Sequence, residues 1–182
     1  MPSLKILIIG NGGTGKSTLA NKLGSRLGIP VTHLDLLSWN DGFKPVPEEN
    51  FKLELNERFA HKRMIIEGWA FQSTMHDRLL WADVIIYLKY PLDYCLNSVF
   101  NRNKEFNNKS YSYDPFTGDR KAHNDLYRTA VERVHYDYEP IVQNWLLTPV
   151  IKDKPLYIFT SIEQLNEQYD ALEMILKQML YK

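Results

Sequence analysis

The stretch that most constrains this chain is a glycine-rich segment close to its start. An apolar run, Ile6–Ile9, leads into Gly10-Asn11-Gly12-Gly13-Thr14-Gly15-Lys16-Ser17, which fits the pattern G-x-x-x-x-G-K-[S/T]. Leucines then recur at helical spacing until Gly28-Ile29-Pro30. A buried strand, a glycine-rich turn and a helix in this order predict a phosphate-binding loop, or P-loop.

The residue types of this loop suit a nucleotide. Glycines lack a Cβ, so the backbone can adopt left-handed angles and approach phosphate groups, helped by the positive end of the following helix. We expect Lys16 to reach the β- and γ-phosphates and Ser17 to hold Mg²⁺, which makes ATP and Mg²⁺ the predicted cofactors. The expected nucleotide-binding residues are Gly10, Gly12, Gly13, Thr14, Gly15, Lys16, Ser17 and Thr18.

Composition narrows the class of protein further. The chain has 182 residues, which predicts a single domain over residues 1–182. Lys+Arg and Asp+Glu both number 22, so the net charge is zero, which argues against direct nucleic-acid binding. No apolar run is long enough for a membrane span, so we expect a cytoplasmic protein without a membrane partner. The oligomeric state is not indicated.

Strand-like and helix-like segments alternate along the chain. Four apolar runs follow the one before the P-loop: Val31–Leu34, Arg63–Ile66, Ala82–Leu88 and Leu156–Phe159. This alternation predicts an α/β, three-layer P-loop NTPase fold, a five-stranded parallel sheet with helices on both faces. A long helical pattern runs from Leu126 to Trp145 and contains Pro140, where we expect a kink.

Two acidic residues directly follow predicted strands, at the edge where such sheets bind ligands. Asp35 could bind Mg²⁺ through water, take the proton of an acceptor hydroxyl, or cap a helix. Glu67 is expected to orient Mg²⁺-bound water, the alternative being a surface acid in a turn. Gly68 would leave space for a substrate. Trp39 lines an acceptor pocket or covers the core.

Arginines complete the predicted chemistry, because a phosphoryl group in transfer is stabilised mainly by positioning and positive charge. Residues 103–119 are rich in Asn, Ser, Tyr, Pro and Gly, which predicts an exposed loop. Arg102 lies at its entrance and Arg133 on the helix that leaves it. Closure of the loop would carry both arginines onto the phosphates.

Taken together, these residues resemble adenylate-kinase-related P-loop kinases, and in particular the bacterial family labelled DNA topology modulation protein. The matching segments are Gly10–Ser17, Gly28–Asp35 with Trp39, Ile65–Gly68 and Arg78–Leu88. The resemblance implies a nucleoside-monophosphate-kinase-like body with an acceptor-binding flap at 36–62 and a lid at 103–122. More distantly, Thr117–Asp119 and Val131–Ile141 resemble the lid exit of adenylate kinases. By that match Arg133 would be a transition-state arginine and Arg102 a nucleotide-phosphate arginine.

The sequence also departs from adenylate kinases. Two arginines that those enzymes use for the acceptor phosphate correspond here to Ser38 and Phe71, and a lid arginine to Ser98. Arg78 is expected to hold the acceptor together with Asp35. The sequence therefore predicts an ATP-dependent phosphotransferase for an unidentified small acceptor, in the manner of a nucleoside or nucleotide kinase. A kinase of a non-nucleotide acceptor such as a sugar acid is a separate option. The alternative is a nucleotide-dependent regulatory or DNA-topology-related switch with little kinase activity.

Overall fold

Parallel strands form the centre of the fold. The structure is a computed structural model that describes residues 3–40, 44–105 and 120–181, without the side chains of 102–105 and 120–124. The strands are β1 (Leu4–Gly10), β2 (Val31–His33), β3 (Trp39–Asn40), β4 (Lys44–Pro45), β5 (Arg63–Glu67), β6 (Val84–Leu88) and β7 (Leu156–Phe159). Five of them make a parallel sheet in the order β2-β5-β1-β6-β7, while β3 and β4 form a separate antiparallel pair. The predicted α/β fold with a five-stranded parallel sheet is confirmed.

Helices connect these strands and cover both faces of the sheet. They are α1 (Lys16–Leu27), α2 (Leu34–Ser38), α3 (Glu48–Phe59), α4 (Met75–Trp81), α5 (Leu92–Glu105), α6 (Arg120–Arg133), α7 (Glu139–Leu146), α8 (Pro149–Lys152) and α9 (Ile162–Leu180). A 3₁₀ turn, Gln72–Thr74, precedes α4. None of the helices in the described part of the chain is both long and apolar enough to cross a lipid bilayer.

Alternation along β1 divides the core in two, because successive side chains of a strand point to opposite faces. Leu4, Ile6 and Ile8 pack with α1, α5 and α9 on one face. Leu7 and Ile9 pack with α3, α4 and α7 on the other. Both sets are fully buried, which is why the run Ile6–Ile9 contains no polar residue.

The long helix predicted with a kink at Pro140 is instead three segments. After α6, residues Val134–Tyr138 form a π-helical turn, and Pro140 then lies in the first turn of α7. Proline has no N–H and its ring clashes with the carbonyl four residues earlier. A wider π turn directly before α7 accommodates both effects, and such turns are common at functional sites.

Strand pairing brings the predicted site residues to one edge of the sheet. In the parallel register His33 lies opposite Glu67, and Ile8 is also paired with Glu67. Gly10, where β1 ends, is paired with Leu88 at the end of β6. The P-loop therefore begins beside the carboxyl ends of its two neighbouring strands. The proposed flap at 36–62 contains the β3–β4 pair and α3, and its role remains a prediction.

Candidate active site

The P-loop connects β1 to α1 through a backbone that only glycine adopts easily. Gly15, the residue before α1, has φ 82°, and no side chain caps the helix there. A Cβ placed on Gly15 would meet no atom of the described residues within 4 Å, so the loop faces open space at this position. Uncapped backbone N–H groups at such a helix start are suited to bind an anion.

The back of the P-loop is packed against the neighbouring helices. A Cβ on Gly12 would lie 2.8 Å from Val131 Cγ2, and one on Gly13 would lie 2.6 Å from the carbonyl oxygen of Cys95. Gly12 and Gly13 are therefore required by packing against α6 and α5, in addition to any approach to a ligand. This second reason for glycine depends on the tertiary fold, so the sequence pattern did not reveal it.

Asn11 ties the P-loop to α6. Its side chain is buried; Nδ2 donates a hydrogen bond to the carbonyl of Val131 (2.9 Å), and Oδ1 accepts one from the N–H of Gly12 (2.7 Å). The motif leaves this position unspecified, and sequence reasoning missed it. Its partner is 120 positions away along the chain, so no local signal could have identified it.

Lys16 lies over its own loop. Its Nζ donates to the carbonyl of Asn11 (2.8 Å), which also accepts a hydrogen bond from Thr14 Oγ1 (2.9 Å). Thr14 is buried, while Thr18 is exposed on α1. The ammonium group of Lys16 is thus placed at the loop by a carbonyl contact that an anionic ligand can replace.

Glu67 is buried at the end of β5, with 1% of its surface exposed. Its Oε1 accepts a hydrogen bond from Ser17 Oγ (2.9 Å) and contacts His33 Nδ1 (2.6 Å). Its Oε2 is buried and has no hydrogen-bond partner among the described residues. The alternative interpretation of Glu67 as a surface acid is therefore wrong.

His33 lies beside Glu67 on β2. Its Nε2 contacts Asn21 Oδ1 of α1 (3.1 Å), so the imidazole is held on both sides. The hydrogen bond to Glu67 raises the pKa of His33, and the negative charges of Glu67 and Asp35 act in the same direction, against the effect of burial. Sequence reasoning gave His33 no role and did not identify Asn21.

The hydroxyl of Ser17 and the carboxylate of Glu67 fit Mg²⁺. This cation prefers oxygen ligands and usually takes one or two from the protein, the others being waters and phosphate oxygens. Within the described part of the chain, no group of three or more acidic, His or Cys side chains could hold a metal by itself. The unpartnered Oε2 of Glu67 is the kind of buried oxygen that a cation or its bound water would satisfy.

Arg78 occupies a different place from the one predicted. Its side chain is completely buried on α4. Its guanidinium donates to four backbone carbonyl groups, those of Gly68 (3.0 Å), Trp69 (2.6 Å), Phe71 (3.1 Å) and Thr74 (3.3 Å). Direct contact with an acceptor does not fit this geometry. Arg78 instead stabilises the segment after β5 by hydrogen bonds to its backbone carbonyl groups.

The segment supported by Arg78 begins with Gly68, which has φ 124° and donates its N–H to the carbonyl of Ile8 (3.2 Å). A Cβ on Gly68 would lie 3.6 Å from Asp35 Oδ1. Asp35 is exposed in the first turn of α2, and His33 rather than Asp35 is the capping residue. Trp39 is half-buried at the start of the β3–β4 pair. Asp35 and Gly68 thus lie together beside the sheet edge.

Of the two arginines predicted to neutralise charge, the structure describes the side chain of Arg133 but not that of Arg102. The side chain of Arg133 is 62% exposed, lies 3.9 Å from Asp137 and covers the ring of Tyr138. It follows Val131, which packs on the P-loop, but its guanidinium lies along its own π turn. The backbone of Arg102 is part of α5, whereas its side chain and most of the predicted lid at 103–122 fall outside the described residues.

Comparisons with known proteins give similarity in structure alone. No protein family model matches the chain, and neither does any curated protein. The shikimate kinase from Acinetobacter baumannii in complex with shikimate has a TM-score of 0.59 at 16% identity, over 98% of this chain and 94% of that one. A gluconokinase from Sinorhizobium meliloti 1021 has 0.58 at 14% identity, over 98% and 94%.

A third structure, the shikimate kinase from Bacteroides thetaiotaomicron, has a TM-score of 0.55 at 16% identity, over 96% of this chain and 98% of that one. The resemblance to the DNA topology modulation protein family stays a prediction, since no family model matches. Similarity at such low identity concerns the fold. This chain has the fold of P-loop kinases along nearly its whole length.

Proposed function

We propose that this protein is an ATP-dependent, Mg²⁺-requiring phosphotransferase that acts on a small molecule. The observation that carries the proposal is the hydrogen bond between Ser17 of the P-loop and the buried Glu67. It places a hydroxyl and a carboxylate beside an open helix start. The structural neighbours named shikimate kinase and gluconokinase support the same reaction class.

The donor nucleotide would be held mainly by the backbone. The N–H groups around Gly15 bind phosphate oxygens, and Lys16 exchanges the carbonyl of Asn11 for the β- and γ-phosphates. Ser17 and Glu67 hold Mg²⁺, which when bound neutralises charge on the phosphate oxygens. Arg133 and Arg102 are proposed to add positive charge at the transferring group once the lid closes.

The acceptor is proposed to react through a hydroxyl group. An alcohol must lose a proton as it attacks, so a carboxylate such as Asp35 helps; a phosphate acceptor is already an anion and needs cations instead. The charge of Arg78 interacts with Asp35, but its guanidinium already donates to backbone carbonyl groups, including that of Gly68. It is therefore not placed to bind an acceptor phosphate. Asp35, Gly68 and Trp39 would then line the acceptor side of the site.

The test is a panel of acceptors incubated with γ-labelled ATP and Mg²⁺. Nucleosides, polyols and sugar acids represent hydroxyl acceptors, and nucleoside monophosphates represent phosphate acceptors. We expect label on a hydroxyl acceptor, and a loss of about 10²- to 10⁴-fold in kcat for Asp35→Asn with ATP affinity unchanged. Slow ATP hydrolysis without any labelled acceptor would contradict the kinase proposal. Label only on the phosphate group of monophosphates, and on no hydroxyl, would contradict the hydroxyl assignment.

A further inference from the structure

His33 and Asn21 close a ring of side-chain contacts around Glu67. Glu67 Oε1 accepts from Ser17 Oγ at 2.9 Å and contacts His33 Nδ1 at 2.6 Å, while His33 Nε2 contacts Asn21 Oδ1 at 3.1 Å. Ser17 and Asn21 are four residues apart on α1, so they lie on the same face of the helix, one turn from each other. The ring therefore joins α1, β2 and β5.

This ring fixes the direction of the glutamate. Two contacts on Oε1 hold the carboxylate against rotation and leave Oε2 as the oxygen without a partner in the described residues. The pairing of His33 with Glu67 in the β2–β5 register sets both side chains next to each other. Ser17 also contacts Glu67, but it is exposed and would itself bind Mg²⁺. It therefore cannot serve as the fixed support of the Glu67 carboxylate.

We infer that His33 is a positioning residue for Mg²⁺: it holds Glu67 Oε1 so that Oε2 faces the metal or its bound water, and Asn21 holds the imidazole in place. This inference rests on the proposed function for its metal. Partners that orient a metal-binding carboxylate affect metal affinity through geometry, without touching the metal. A plain structural ion pair would affect stability and leave metal binding unchanged.

Two substitutions separate the two nitrogen atoms of the ring. In His33→Asn the amide nitrogen can occupy the place of Nδ1 and keep the contact with Glu67. In His33→Gln the amide reaches the place of Nε2 and keeps only the contact with Asn21. His61, an exposed residue before β5 at the opposite edge of the sheet, provides the matched control His61→Gln.

The measurement is Mn²⁺ binding, from the electron paramagnetic resonance signal of free Mn²⁺, with a non-hydrolysable ATP analogue present. We expect His33→Gln to weaken Mn²⁺ binding by about 10- to 100-fold, with His33→Asn and His61→Gln close to the unsubstituted protein. Analogue binding measured in EDTA should be equal in all variants. Asn21→Ala, a change at an exposed helix position, should give a smaller loss in the same direction.

Three results would overturn the inference: unchanged Mn²⁺ binding in His33→Gln, equal losses in both His33 variants, or a parallel loss of analogue binding in EDTA. Circular dichroism checks that each variant is folded, and Asn21→Ala supplies the test if the His33 variants are not. Because no turnover is measured, a protein that transfers no phosphoryl group can still show the His33 effect. Failure of the proposed reaction is thereby distinguished from failure of this inference.

Discussion

Lys16 and Arg78 are both cations that contact carbonyl groups, yet their surroundings give them opposite roles. Lys16 has one such contact, at the mouth of the P-loop, whereas Arg78 is enclosed by four. Burial lowers the pKa of Arg78 to about 9, which still leaves the guanidinium charged at neutral pH. A charge in contact with solvent can move to a ligand, and a charge fixed by several carbonyls supports the backbone.

Lys16→Ala should therefore strongly reduce transfer and preserve the fold. We expect phosphoryl transfer to fall by about 10²- to 10³-fold, because a preorganised positive charge on the phosphates is lost. The midpoint of thermal unfolding without nucleotide should stay within about 2 °C, as is usual for surface substitutions. Lys62→Ala, at an exposed position before β5, is the control and should change neither quantity. Unfolding of Lys16→Ala would indicate a structural lysine.

Arg78→Ala should have the opposite profile. Removing the guanidinium leaves the carbonyls of the segment after β5 without donors, and such losses in a buried network cost about 3–5 kcal/mol. Urea unfolding followed by circular dichroism measures the change. Arg78→Lys should recover part of this stability, since an ammonium group can still donate to some of the carbonyls. Full stability combined with a raised KM for the acceptor would restore the predicted acceptor contact.

At the scale of secondary-structure elements, an unexpected buried acid lies at the start of α7, directly after the π turn. Glu139 is 3% exposed, its Oε2 lies 3.3 Å from His135 Nδ1, and its Oε1 is buried without a hydrogen-bond partner in the described residues. Burial raises the pKa of Glu139, while the neighbouring His135 and Lys89 side chains oppose that rise. The folded state therefore binds a proton here more tightly than the unfolded state does.

This shift has a defined sign for stability. A carboxyl group with a raised pKa stabilises the fold at low pH, and the contribution is lost as the pH rises from its unfolded value of about 4.3 through the folded value. Glu139→Gln, which does not titrate, should thus become more stable relative to the unsubstituted protein as the pH increases. Urea unfolding at pH 4.5 and pH 7.5 measures the difference. A pH-independent difference would contradict the raised pKa.

The same scale shows what could be predicted from the sequence. The strands and the P-loop were predictable because apolar runs such as Ile6–Ile9 and the glycine pattern are local signals. The burial of Arg78 was not, since its partners belong to a loop containing Ala70 at φ 49°, which no local pattern specifies. The contact of His33 with Glu67 depends on β2 pairing with β5, and strand order is a property of the tertiary fold.

Across the whole molecule, Asn11 connects the two chain segments that would hold the transferring phosphate. It joins the P-loop to the end of α6, two residues before Arg133. The packing of Val131 against Gly12 reinforces the contact. Nucleotide bound at the loop should therefore also stabilise α6 and the π turn, although the two segments are far apart in sequence. A contact that both segments share is a physical route for such coupling.

Asn11→Asp tests this coupling sharply. The new carboxylate can still accept the Gly12 N–H, but it presents an oxygen instead of a donor to the Val131 carbonyl, and an unsatisfied buried contact of this kind costs about 1–3 kcal/mol. In the unsubstituted protein, we expect a non-hydrolysable ATP analogue with Mg²⁺ to protect residues 125–140 from hydrogen exchange. In Asn11→Asp, protection should be confined to the P-loop and α1. Equal protection of 125–140 in both proteins would mean that Asn11 fixes the loop without linking it to α6.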